Sequence, residues 1–128
     1  MTTPDRTFTL ERRDRGAATI FYLDGPLRLG HLEATTGRAL SDAVREVAHA
    51  GTMGVAIDLR GLVKTPDSSG LGELVAAESA LRQRGGKLVL CNVPPKLRAL
   101  IATLGLDRLF RIVDTEDEAV RFLEASEG

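Results

Sequence analysis

The sequence has little of what several protein classes require. It contains one cysteine and no tryptophan, and aromatic residues make up 4% of its 128 residues. A single cysteine cannot form an internal disulfide, and it excludes a cysteine-rich zinc cluster. No run approaches the ~18 apolar residues of a membrane-spanning helix, and the N-terminal stretch carries no apolar signal region. We therefore expect a cytoplasmic domain with no metal site and no membrane insertion.

Neither positive nor negative residues predominate in the sequence. Seventeen Lys and Arg oppose 18 Asp and Glu, so the formal net charge is -1. Proteins that bind duplex nucleic acid usually carry a basic surplus, which argues against direct DNA binding. The 43% hydrophobic and 27% charged residues are typical of a globular chain. The length suits one domain, which we place at residues 1–128.

Glycine and proline divide the chain into short segments of two kinds. Alternating or continuous apolar runs predict strands, and apolar residues spaced by three or four predict helices with one buried stripe. The predicted order is β-β-α-β-α-β-α-β-α. Strands are predicted at 7–13, 17–23, 53–59, 87–91 and 109–113, and helices at 30–50, 68–84, 95–104 and 115–126. A hairpin followed by βαβ crossovers indicates an α/β fold with a mixed sheet covered by helices.

One segment has a composition that is costly for the helix it opens. It reads Pro66-Asp67-Ser68-Ser69-Gly70-Leu71-Gly72-Glu73 and follows the third strand. Asp67 or Ser68 can accept a hydrogen bond from a first-turn amide, whereas each glycine costs a helix about 1 kcal/mol relative to alanine. The segment fits a plain helix start, or a first turn kept bare for a partner surface. Composition alone favours the plain helix start.

The same turn suits a reversible charge. A helix N-terminus offers unpaired amides and a partial positive charge. A phosphate on Ser68 would add about -1.5 to -2 charges in that field. The helix would tolerate the group, but a partner docked on the loop would not. The sequence therefore allows a phosphorylation switch that acts on binding rather than on folding.

Five segments together resemble the STAS domain of anti-sigma-factor antagonists. They are Ile57-Asp58-Leu59-Arg60-Gly61, Asp67-Ser68-Ser69-Gly70-Leu71-Gly72, Gly85-Gly86-Lys87-Leu88-Val89-Leu90, Val93-Pro94-Pro95-Lys96-Leu97 and Leu106-Asp107-Arg108-Leu109-Phe110. The second segment followed by the third is the most specific combination, and the likeness extends more weakly over nearly the whole chain. The resemblance implies a STAS-like, mixed four- to five-stranded sheet with about four helices packed mainly on one side.

The resemblance also implies regulation without catalysis. Such antagonists bind an anti-sigma factor that is also a serine kinase, and so free the sigma factor. The kinase phosphorylates the serine after the motif's aspartate, here Ser68 (Ser69 is the second choice), and a metal-dependent serine phosphatase resets it. The implied partner-binding residues are Asp67, Ser68, Ser69, Gly70, Leu71, Gly72 and Arg28. We expect no enzyme activity and no cofactor, and a monomer or weak dimer.

Three features depart from the family pattern. The stretch from Asp58 to Asp67 is about one residue longer than in typical members. Thr65-Pro66 stands where two apolar residues usually precede the aspartate, and proline lacks an amide hydrogen and fixes its φ angle. Arg28 replaces an acidic residue that many antagonists carry after the second strand. A cation there would soften the penalty of a phosphate or select a different partner.

Other functions compete with this interpretation. Two further STAS roles stay open: an accessory subunit of a lipid-transport ATPase complex, and a stressosome-type scaffold, which usually has an extra N-terminal sensor domain. A response-regulator receiver with Asp58 as its phosphorylated residue is disfavoured, because no acidic pair follows the first strands and Cys91-Asn92 stands where a cation is needed. A serine hydrolase is disfavoured because the motif is not G-x-S-x-G, and His31 and His49 lie on or beside the first helix.

Overall fold

Strands and helices alternate along residues 9–25, 39–62 and 68–127, which are the residues that the computed structural model describes. The strands are β1 Thr9–Arg15, β2 Ala18–Gly25, β3 Gly54–Leu62, β4 Lys87–Cys91 and β5 Arg111–Val113. The helices are α1 Ala39–His49, α2 Ser68–Arg82, α3 Pro95–Thr103 and α4 Glu116–Glu127, with a 3-10 turn at Leu106–Arg108. The sheet order is β1-β2-β3-β4-β5, with β1 antiparallel to β2 and the other neighbours parallel.

The helices are distributed unequally over the two faces of the sheet. From β2 to β5 each strand lies beside the previous one, so the chain always advances in the same direction across the sheet. Right-handed crossovers then place α1, α2 and α3 on one face, whereas α4 follows the last strand and covers the other. The mixed five-stranded sheet with helices mainly on one side is confirmed.

Each face of the sheet has its own core. The larger core joins the sheet to α1, α2 and α3 through apolar side chains such as Val44, Leu74 and Ile101. The smaller core joins it to α4 and is built from Ala18, Ile20, Ala56, Val89, Cys91, Ala119, Val120 and Leu123. Because side chains alternate along a strand, the residue two positions after Ala56, which is Asp58, lies on the α4 face.

The end of α2 explains the adjacent glycines that follow it. The Gly86 amide donates to the Leu81 carbonyl at 3.0 Å, the Gly85 amide donates to the Arg82 carbonyl at 2.9 Å, and Gly85 has a φ of +85°. This pattern is a Schellman motif, which needs a left-handed residue at the helix end. A Cβ at Gly86 would lie 2.7 Å from the Met53 carbonyl oxygen, so the second glycine is required by close backbone approach.

Eight of the nine elements differ from their predicted bounds by one to three residues, and three of these differences have a clear structural reason. α2 ends at Arg82 rather than 84, because the Schellman turn begins there. β5 begins at Arg111 rather than 109, since the amides of Leu109 and Phe110 both donate to the Leu106 carbonyl and so belong to the 3-10 turn. β3 continues past 59 to Leu62 and stays paired with β2. The predicted residues 7–8 and 30–38 lie outside the described residues.

The extension of β3 depends on an irregular register. Tyr22 pairs with Asp58 but Asp24 pairs with Gly61, so β3 contains one more residue than β2 over this interval. A Cβ at Gly61 would lie 2.6 Å from the Leu23 carbonyl oxygen, which a side chain cannot tolerate. Glycine in a strand often marks such a bulge.

Candidate functional site

The serine-glycine segment forms the start of α2. Ser68 is the first residue of this 15-residue helix, and Ser69 and Gly70 continue it. The first turn of α2 contains no acidic residue, whereas α4 has three there, at Glu116, Asp117 and Glu118. The positive end of α2 therefore has no carboxylate from its own first turn. Asp67, Thr65-Pro66 and Arg28 lie outside the described residues.

The three residues after the serines have different surroundings. Gly70 is buried, and the side chain of Leu71 is 6% exposed and packs in the larger core. Gly72 is exposed, and a Cβ built on it would meet no atom of residues 9–25, 39–62 or 68–127 within 4 Å. The sequence places Leu71 against the partner, but the fold uses its side chain to anchor the turn. Gly72 is the exposed position of the three, and no contact with a residue that the structure describes explains why it is glycine.

A buried carboxylate on α2 holds the neighbouring helix. Glu73 is 6% exposed, and its Oε2 accepts a hydrogen bond from the backbone amide of Ser41 at 2.7 Å. Ser41 lies in the first turn of α1, whose amides have no partners within the helix. A charged acceptor at this end also interacts favourably with the helix dipole. Glu73 thus fixes α1 against the turn that carries the serines, a role that the sequence analysis missed because it depends on packing between two helices.

Replacing Glu73 by alanine should destabilise the protein by about 2 kcal/mol, since a buried charge-assisted hydrogen bond is lost. Glu73→Gln keeps an acceptor oxygen but loses the charge, so we expect roughly half that cost. Urea unfolding measures both effects. Glu46→Ala, at an exposed position on α1, is the matched control and should change stability by less than about 0.5 kcal/mol. Equal midpoints for Glu73→Ala and Glu46→Ala would contradict the capping role.

A polar network lies on the opposite face, at the carboxyl ends of β3 and β4. Asp58 is 1% exposed and accepts hydrogen bonds from the Arg60 amide at 3.0 Å, the Arg60 guanidinium at 2.9 Å and the Asn92 side-chain amide at 3.0 Å. Asn92 has a φ of +52°, which asparagine tolerates better than most residues. Asp58 thus accepts one hydrogen bond from a backbone amide and two from side chains.

A second network joins β1 and β2 to the start of α4. Glu116 accepts hydrogen bonds from Tyr22 and from Arg15, each at 2.7 Å. Burial alone would raise the pKa of Glu116, but these two hydrogen bonds outweigh it and the pKa is lowered. A lowered carboxyl pKa contributes stability above its unfolded value, and this contribution is lost as the pH falls through the folded value. Burial, with the Glu116 hydrogen bond second, raises the pKa of Tyr22 to about 12.

Neither network has the chemistry of an active site. Burial, with the charge of Asp58 second, raises the pKa of the Cys91 thiol to about 12, so this cysteine stays protonated and is a weak nucleophile. No group of three or more His, Cys, Asp or Glu among the described residues is placed to hold a metal ion. His49 contacts Arg84 at the surface, and His31 lies outside the described residues. The hydrogen bonds of Asp58 and Glu116 therefore have a structural role, which is to connect the ends of strands to neighbouring segments.

Comparison with known proteins identifies the family. A family model described as "Mlab, STAS domain" matches residues 27–114, which is more than half of the chain. The chain belongs to the STAS domain family. An "Anti-sigma F factor antagonist" of Paenibacillus polymyxa is 36% identical over 58 residues, which are 45% of this chain and 50% of that protein. The STAS chain thus spans about half the length of this curated relative.

Solved structures show the same STAS fold. An anti-sigma factor antagonist from Mycobacterium paratuberculosis is 24% identical, with a TM-score of 0.74 over 97% of this chain and 99% of that one. The Bacillus cell fate determinant SpoIIAA in its phosphorylated form is 21% identical, with a TM-score of 0.64 over 90% and 97%. Within the described parts of the STAS chain, no helix has the length and apolar character needed to cross a bilayer.

Proposed function

We propose that this STAS protein is an anti-sigma-factor antagonist that binds an anti-sigma factor with serine kinase activity and is released when Ser68 is phosphorylated. The curated relative of 36% identity carries the antagonist name, and one structural neighbour is known in a phosphorylated form. The observation that carries the proposal is the position of Ser68 as the first residue of a helix whose first turn has no acid. The switch operates in the cytoplasm, on a monomer or weak dimer.

The position of Ser68 gives the phosphate opposite effects on folding and on binding. At a helix N-terminus a phosphate meets unpaired amides and a positive partial charge, so it stabilises α2. At the surface that contacts the partner, the same negative charges are desolvated or are repelled by the partner. Either effect costs several kcal/mol of binding free energy. A modification that leaves the fold intact and removes the partner is what a partner switch requires.

The chemistry of the switch is supplied by the partners. The Ser68 hydroxyl oxygen attacks the γ-phosphorus of ATP held by the kinase, the bond from that phosphorus to ADP breaks, and the hydroxyl proton passes to the kinase's base. ATP, metal and base therefore belong to the kinase, and this chain is a substrate rather than an enzyme. A metal-dependent serine phosphatase then hydrolyses the phosphoserine and restores the binding form.

The residues around Ser68 form two groups, one that contacts the partner and one that holds the turn in place. Ser69 and Gly72 form the contact surface together with Asp67, and Arg28 adds a cation that tunes the effect of the phosphate. Gly70 was predicted to belong to this surface but is buried. Leu71 supports the turn from the core, where its side chain is buried. Gly72 is the most informative contact residue, because a Cβ there would meet no atom of the described residues and contact with a partner would account for a helix-weakening glycine.

Replacing Gly72 by alanine should separate stability from binding. The backbone is helical and the added methyl group has free space, so the variant should be more stable by up to about 1 kcal/mol. The same methyl group should weaken binding to the kinase roughly tenfold, equivalent to about 1.4 kcal/mol. Thermal unfolding and calorimetric titration measure the two effects. Unchanged affinity would remove Gly72 from the contact surface.

The direct test of the proposal is capture of the partner. Unmodified protein immobilised on resin should retain a small ATP-binding serine kinase from the native host, and the purified kinase should then transfer phosphate to Ser68 in the presence of ATP and Mg²⁺. Phosphopeptide mass spectrometry locates the modified residue. Modification of Ser69 would move the switch by one residue, and failure of the kinase to bind or modify the protein would refute the antagonist role.

A second candidate function is an accessory subunit of a lipid-transport ATPase complex. The observation that favours it is the description of the matching family model, which names Mlab rather than an antagonist. In that role the α2 surface would contact an ATPase subunit permanently, and no phosphorylation would be needed. Stoichiometric copurification with an ATPase that persists after ATP addition would support this candidate over the antagonist.

A further inference from the structure

The free edge of the sheet at β5 carries a concentration of positive charge. A cavity of about 610 Å³ lies between α3, the 3-10 turn and β5. Among the described residues that line it are three arginines, Arg98, Arg108 and Arg111, and one acid, Asp107. We call this cavity the basic cleft. The whole chain has slightly more acidic than basic residues, so three cations beside two acids, Asp107 and the neighbouring Asp114, are a local excess of positive charge.

The three arginines of the basic cleft are weakly engaged within the protein. Arg98 Nη1 lies 3.4 Å from Asp114 Oδ1, and the two side chains are 49% and 76% exposed, so the pair contributes little. Arg108 is exposed and forms no hydrogen bond or ion pair with another described residue. The Arg111 guanidinium lies 4.5 Å from the centre of the Phe122 ring of α4, a contact that leaves its N–H groups available. Arg111 therefore borders the β5 edge from the α4 face, whereas Arg98 and Arg108 border it from the α3 face, and the alternating side chains of an added strand would reach both.

The basic cleft also borders an unpaired strand. β5 pairs with β4 on one side, and no strand in the described ranges pairs with its other side. A free strand edge is a template for an added strand, and the three residues of β5 offer about 10 Å of it. Leu109 and Ile112 line the cavity half-buried. The cleft thus combines backbone pairing, a partly apolar wall and cationic side chains.

We propose that the basic cleft binds an extended acidic segment of a partner protein, which pairs with the outer edge of β5 and places its carboxylates beside Arg98, Arg108 and Arg111. The charge of the cleft selects carboxylates, and arginine guanidinium groups bind them in a bidentate manner. Nucleic acid fits less well, because Phe110, the one ring lining the cavity, is 3% exposed and cannot stack on a base. The site is distinct from the α2 surface, since β4 separates β5 from β3.

The test uses a displayed library of random heptapeptides panned against the full-length protein at 50 mM salt. Recovered peptides should be enriched in Asp and Glu. A fluorescein-labelled copy of the most enriched peptide should bind, by anisotropy, at least tenfold more weakly to R98Q/R108Q/R111Q, and its affinity should fall as salt rises. R12Q/R45Q/R84Q removes the same charge from exposed arginines elsewhere and should bind like the wild type.

Several outcomes would overturn the proposal. These are peptides without acidic enrichment, equal affinity for the two triple variants, or tighter binding of a 12-nucleotide single strand of DNA than of the peptide. Amide shifts in a ¹⁵N-labelled sample should centre on Arg111–Val113, and shifts confined to α2 would also overturn it. Should R98Q/R108Q/R111Q unfold, the single variant Arg108→Gln provides the affinity measurement, because the Arg108 side chain has no partner to lose among the described residues. Ser68→Asp should leave peptide binding unchanged, which separates this site from the phosphorylation switch.

Discussion

Ser68→Asp should weaken binding to the serine kinase by roughly 100-fold or more, equivalent to about 3 kcal/mol, while Ser68→Ala binds like the wild type. Aspartate mimics part of the phosphate charge at the start of α2 and opposes the docked surface. The same charge meets the positive end of the helix, so the free energy of unfolding should stay constant or rise by up to about 1 kcal/mol. Calorimetric titration measures the affinity for the kinase, and thermal unfolding of the same samples measures the change in stability.

The control for this prediction is the neighbouring serine. Ser69→Ala should still accept phosphate from the kinase at residue 68, whereas Ser68→Ala should accept none. If Ser68→Asp bound the kinase as tightly as the wild type, the charge at the helix start would not be the switch. If Ser68→Asp bound weakly because it was unfolded, the loss of affinity would reflect folding rather than charge. We expect the variant to stay folded, since the added charge lies at the positive end of a helix.

Asp58→Ala should lower the free energy of unfolding by about 2–3 kcal/mol, the larger of the stability effects expected here. The side chain is 1% exposed and accepts three hydrogen bonds, two from Arg60 and one from Asn92. Alanine would leave the buried end of this network without its acceptor. The Asn92 backbone, with its φ of +52°, would also lose the contact that orients its side chain. Denaturant unfolding measures the effect.

Two further variants test whether the stability loss of Asp58→Ala comes from its hydrogen bonds. Asp58→Asn keeps one carbonyl oxygen and should cost about half as much, because its amide nitrogen cannot accept the remaining bonds. Asp107→Ala, at an exposed residue of the 3-10 turn, should be nearly neutral. A stability loss below about 0.5 kcal/mol for Asp58→Ala would show that the network forms without energetic consequence.

Most of the fold could be predicted because the local signals agree with the tertiary structure. β4 lies at Lys87–Cys91 as predicted, since a continuous apolar run there is bounded by glycines and prolines. The Gly85-Gly86 pair ends α2 by the Schellman geometry that the sequence suggests. Boundaries were less accurate where tertiary pairing decides them. β3 extends to Leu62 through a bulge that requires Gly61, and the register with β2 decides whether a strand continues past such a glycine.

The candidate site was predictable only in part. The serine-glycine pattern located the start of α2, because cap residues and glycines mark helix ends by their own conformational preferences. The pattern did not separate Leu71, which is buried, from Gly72, which is exposed, since both fit an open first turn. Glu73 and its bond to Ser41 were missed because the acceptor and donor belong to different helices 32 residues apart.

The amino-acid sequence by itself determined the order of strands and helices, the mixed sheet and the helix start that carries Ser68. These follow from periodicity, handedness of crossovers and turn chemistry, which act over a few neighbouring residues. Only the tertiary structure decided which carboxylates are buried and paired, and which arginines remain available at the β5 edge. Those properties depend on distances between residues far apart in the chain, so they arise when the sheet and its helices assemble.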